Sequence, residues 1–166
     1  MPTLTRFALI SATLLCLLLM ACTSESEQMM SDCREGMPEY VEQMEDITDR
    51  WDDSMQIALS SARISLAEPV GDLQEIRRDA DNINPPQCMA SSHEGYVEAT
   101  GVFVDALLDF MSDADAEPDQ VELSTAQFSM LITRDLLETY NEDEEAFFVS
   151  LEENFATATA EAGGDN

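Results

Sequence analysis

Residues 37–62 read MPEYVEQMEDITDRWDDSMQIALSSA, with apolar side chains at Met37, Tyr40, Val41, Met44, Ile47, Trp51, Met55, Ala58 and Ala62. Spacings of three and four place all of them on one side of an α-helix. Extended backwards, Met30, Met37, Met44, Trp51 and Ala58 fall seven apart. Upstream, Asp32 followed three residues later by Glu35 has the form of a capping box. Downstream, Glu68-Pro69 is a stop, because the residue before proline avoids the helical region. The pattern predicts one long helix over about 32–67 with a single apolar stripe.

Working outward, a shorter helix over about 70–82 turns Val70, Leu73 and Ile76 inward. It carries Arg77-Arg78 near its C-terminal end, where cations suit the helix dipole. The consecutive prolines of NINPPQC (82–88) exclude a helix interior and mark a rigid turn. A third helix follows from Met89, with His93, Tyr96, Val97, Thr100, Phe103, Val104, Leu107, Leu108 and Met111 on its period. The acidic stretch 113–120 is a connector with Pro118 at a first helical position. Two more helical segments are expected over about 119–139 and 142–159. Asn141 and Glu144 would form the cap between them, and Phe148, Leu151, Phe155 and Ala158 a stripe in the second. No strand period survives, so the fold class is all-α: an antiparallel helical bundle of four to five helices.

Composition bounds the partners. The 166-residue chain holds 35 acidic and 7 basic residues, all seven of them arginine, for a formal net charge of −28. Such a field repels nucleic acid and anionic headgroups, and suits high ionic strength, where salt screens self-repulsion.

Residues 7–21 (FALISATLLCLLLMA) are uncharged and apolar, preceded by Arg6 and followed by the polar TSESEQ with no basic flank. Fifteen residues are too few to span a bilayer, which takes roughly 20, and fit the hydrophobic region of a signal peptide. A secretory leader cut near Ala21, an uncleaved signal anchor and a lipidated N-terminus then compete. Leu19-Met20-Ala21-Cys22 resembles the lipobox of bacterial lipoproteins, with Met20 a less usual residue at its tolerant position. The resemblance implies cleavage before Cys22 and attachment of acyl chains there, palmitate among them; several chains anchor firmly where one would not. Thr23 resembles the residue found in lipoproteins sorted to an outer membrane, if the cell has two. The mature chain would carry 6 − 35 = −29, since the leader removes Arg6 and no acid. Cys33 before a long helix carrying Trp51, the segments 63–66 and 73–77, and Pro85-Pro86-Gln87-Cys88 also resemble small uncharacterised helical lipoproteins. That resemblance implies no activity.

With Cys16 in the leader and Cys22 acylated, Cys33 and Cys88 remain as an even pair outside the cytoplasm, which reads as one disulfide. It would tie the starts of the first and third helices. Neither has a second Cys or a His at metal-ligand spacing, and no C-x-x-C is present.

Candidate chemistry is sparse. His93, the one histidine, lacks both a haem-attachment motif and a Glu three residues before it, so it reads as a rim residue of its helix. The methionine stripe reads as core packing rather than a copper site. Asp113-x-Asp115-x-Glu117 begins like a calcium loop but has Pro118 and Ser124 where Gly and Glu belong. Asn141-x-Asp143-x-Glu145 reaches Glu152 but has Ala146 at the glycine position. No nucleophile elbow, S-x-x-K or phosphate loop occurs. The expectation is therefore no catalytic residue, no metal site and no cofactor, with Cys22 for lipidation and Cys33–Cys88 for the disulfide. The chain divides into signal peptide (1–21), lipidated polar tether (22–31), helical bundle (32–160) and disordered tail (161–166). It is expected to be extracytoplasmic, held to a membrane by lipid, and to have a binding or structural role toward an envelope protein or small ligand. An extracytoplasmic cation- or small-ligand-binding protein is the alternative.

Overall fold

The computed structural model describes the backbone of residues 3–113, 115 and 120–162, and the side chains of 27–113, 115 and 121–154. Among these, the chain forms α1 (Thr3–Ser60), α2 (Ala67–Asp81), α3 (Ala90–Ser112), α4 (Gln120–Glu142) and α5 (Glu144–Ala162), with short 3-10 turns at Arg63–Ser65 and Gln87–Met89 and no strand. Pro118, Glu117 and the tail from 163 lie outside the described backbone, as do the side chains of Cys16, Cys22, Phe155 and Ala158.

The stripe of 37–62 becomes the spine of the core. Met37, Tyr40, Val41, Met44, Ile47, Trp51 and Ala58 are all buried, with Met30 and Met55 packed at the edge. Pro38 sits inside this helix and leaves the Arg34 carbonyl without its usual amide donor, a cost borne because its neighbours are so well buried. Both expected ends of the helix move. The chain ahead of Asp32 is already helical, so Asp32 and Glu35 are interior positions and no capping box opens the helix there. At the other end it is serine that terminates α1. The hydroxyls of Ser60 and Ser61 both donate to the Ile57 carbonyl, at 3.1 and 2.7 Å, and offer the backbone an alternative to the next turn. Ala62 is then extended and exposed, outside the stripe. Pro69 is not the stop. It lies in the first turn of α2, where an amide would be unpartnered anyway, and it is buried.

Cross-contacts fix the antiparallel course. Arg50 of α1 bridges to Asp79 near the end of α2 at 2.7 Å. Arg63 donates to the Met111 carbonyl at the end of α3, while His93 near its start lies against Ala80 at the end of α2. Along α3 and α4, which share the largest interface, Thr133 donates to the Ser92 carbonyl at 3.1 Å. Arg134 and Asn141 of α4 reach back to Asp52 and Glu45 of α1.

Two expected details resolve differently. The cap before α5 is Asp143, whose Oδ1 accepts from the Ala146 amide at 3.0 Å, while the Asn141 side chain is spent on Glu45. Phe147 joins Phe148 in full burial, with Tyr140 edge-on to both. Leu108, placed on the inner period of α3, is exposed.

The disulfide is present: Cys33 and Cys88 are bonded with Cα atoms 5.9 Å apart, within the usual range. It joins a point within α1 to the turn before α3. Gly36, one turn on, lets the Pro86 ring close in; a Cβ there would meet Pro86 at 3.2 Å. With the two cysteines 55 positions apart in sequence, the chain-entropy model assigns the link about 4 kcal/mol. Replacing both cysteines by serine should lower the urea-unfolding free energy by up to that amount while the helical circular dichroism of the native state is retained.

Candidate functional site

Among the described residues, two places bring polar side chains of different helices near one another inside the bundle. The first joins α1, α2 and α3. His93 is 6% exposed, not a rim residue, because the α1 and α2 faces meet over its helix position. Its Nδ1 lies 3.3 Å from the Tyr40 hydroxyl, and the rings pack edge to face at 5.8 Å. The Ala80 backbone takes a further hydrogen bond. Burial holds the His93 pKa below its ordinary 6.5, against smaller opposing effects of the Ala80 hydrogen bond and the Asp81 charge; burial also raises Tyr40. A neutral ring therefore accepts from the Tyr40 hydroxyl and donates to Ala80, and the trio works as a polar rivet between three helices.

The second place lies between α1, α3 and α4. Thr48, Trp51 and Asp52 project from α1, Tyr96 and Phe103 from α3, and Gln127, Met130, Leu131 and Arg134 from α4, around a cavity of about 190 Å³. Each set follows helical spacing, so each helix offers one face. Thr48 is satisfied by the Glu45 carbonyl at 3.0 Å. Arg134 Nη1 donates to Asp52 Oδ2 at 2.8 Å, with both side chains about half exposed. Tyr96 differs. It is 1% exposed, and its hydroxyl has no hydrogen-bond partner. Leaving such a group unpaired costs about 1–3 kcal/mol. Burial raises its pKa first of all, with Asp52 adding to the rise and Arg134 opposing it, so the phenol is neutral and sits under the influence of that ion pair.

Of the residues expected from sequence, Cys33 and Cys88 come together; neither lines the cavity, and they belong to the fold. Asp113 accepts from the Asp115 amide at 3.0 Å, while Asp143 caps α5. Among the described residues, no group of three His, Cys, Asp or Glu side chains is placed to hold a metal ion, and no helix is long and apolar enough to cross a membrane. The cavity had a sequence signal only in part. Trp51 and Tyr96 lie on the helical stripes, but nothing in the spacing marks the Tyr96 hydroxyl as unpaired.

The depressed His93 pKa has a stability consequence. Between the unfolded value near 6.5 and the lower folded value, the unfolded chain binds the extra proton, so this contribution is complete above about pH 6.5 and is lost as pH falls. Urea unfolding of the wild type and His93→Asn should show the wild-type advantage shrinking from pH 7.5 to 5.5, by at most about 1.4 kcal/mol per pH unit. An advantage that grows on acidification would contradict the assignment. Comparison with protein-family models, with curated proteins and with solved structures finds no match to the chain.

Proposed function

We propose that this chain is a lipid-anchored helical domain outside the cytoplasm, with a binding or structural role in the cell envelope. The observation that carries the reading is the Cys33–Cys88 disulfide, since such links persist in oxidising compartments. It is joined by Leu19-Met20-Ala21-Cys22, which stands where the apolar run ends and a polar sequence begins. With 35 acidic residues, the domain would be repelled from anionic headgroups, so a covalent lipid is a fitting means of attachment. Its partner would be an envelope protein or a small molecule, not nucleic acid. The cavity beside Tyr96 favours the small molecule.

Cells expressing the full chain should incorporate a clickable fatty-acid analogue into it and retain it with membranes. Cys22→Ala should abolish both label and membrane retention. Undiminished labelling and partition in the variant would overturn the anchor.

A further inference from the structure

We infer that the cavity between α1, α3 and α4 is a binding site for a small uncharged organic molecule with an apolar body and one hydrogen-bonding group, of alcohol or amide type. The argument begins with the Tyr96 hydroxyl, which is fully buried, neutral and unpartnered at a place where α1, α3 and α4 leave room for another molecule. Buried polar groups in folded proteins nearly always have a partner, so an exception beside a cavity points to a ligand that supplies one. The volume of about 190 Å³ is ample, because about 150 Å³ accepts benzene.

The walls set the ligand's chemistry. Trp51, Phe103, Met130 and Leu131 favour an apolar body. The charged groups facing the cavity, Asp52 and Arg134, already neutralise each other at 2.8 Å, so a charged ligand would have to break that pair or leave a charge uncompensated. An anion would in addition meet the field of a chain with net charge −28. The phenol, by contrast, can donate to or accept from a neutral polar group. The hydroxyl has no surface open to water in this structure, so the ligand's polar group reaches it through a shift of the side chains that line the cavity, with the Asp52–Arg134 pair kept intact. The site rests on the small-ligand reading alone and not on the anchor; Cys22→Ala leaves it intact, so either can fail without the other.

Trp51, the chain's single tryptophan, lines the cavity and reports on it directly. Titrating the full chain with benzyl alcohol should give a saturable change in Trp51 emission, and toluene should bind about tenfold more weakly for want of the hydrogen bond. Tyr96→Phe, with its helical circular dichroism checked, should remove that preference by weakening benzyl alcohol roughly tenfold. Leu131→Phe, at the exposed rim, tests the cavity without touching the core and should weaken both probes. Absence of saturable binding, equal affinity for benzyl alcohol and toluene in the wild type, or tighter binding of benzylamine or benzoate would overturn the assignment.

Discussion

A chain with 35 carboxylates and seven arginines folds against its own electrostatic field, so the apolar contact along α1 has to outweigh that repulsion. Met37, Met44, Trp51 and Ala58 recur every seven residues, and each is almost wholly withdrawn from water. Burying one such large side chain stabilises by about 1.5–3 kcal/mol. Leu73 and Ile76 of α2, Tyr96 and Val104 of α3 and Leu137 of α4 belong to the same continuous core. Shortening or breaking this spine would remove the surface on which the other helices depend. That is why a proline in its interior is accepted and not allowed to end it.

The scarce cations are used with economy. Arg34 ties α1 to α5 through Glu145 and lies 4.1 Å over the Phe148 ring. Arg50 ties α1 to α2, Arg63 ties the turn after α1 to the end of α3, and Arg134 ties α4 to α1. Arg77 lies against α3 at Gly101, where a Cβ would come within 3.0 Å of the guanidinium. Each ion pair is exposed and contributes little by itself. Together they set a positive charge where α1 meets α2, α4 and α5 and where α2 meets α3, between strongly acidic helices. The Tyr40–His93–Ala80 rivet and the disulfide hold the same end of the bundle, where α1, α2 and the start of α3 converge.

How much of this was legible beforehand differs between the period of a helix and its ends. Helical periodicity identified the buried faces of α1, α2 and most of α3, because burial repeats with the backbone and needs no knowledge of the partner. The ends were misplaced wherever a side chain had a choice of bond. Serine hydroxyls at 60 and 61 closed α1 earlier than Pro69 suggested, and Asp143 took the cap that Asn141 was expected to provide. Asn141 turned instead to Glu45, nearly a hundred residues away in sequence, and no local rule anticipates such a contact. His93 is the clearest case of context. Its helical position suits a rim as well as a core, and only the approach of Tyr40 and Ala80 decided between them.

What the sequence by itself determined is the class of fold, the stripe that organises it and the chemistry at hand: many carboxylates, one histidine and four cysteines. These follow from residue type and local period, which are properties of the chain whatever it packs against. Only the tertiary structure decided that Cys33 and Cys88 lie 5.9 Å apart at Cα, that His93 is buried, and that Tyr96 keeps a hydroxyl without a partner at the edge of a cavity. Each of these depends on which helices meet and at what register, and helix pairing is fixed by the fit of whole faces to one another.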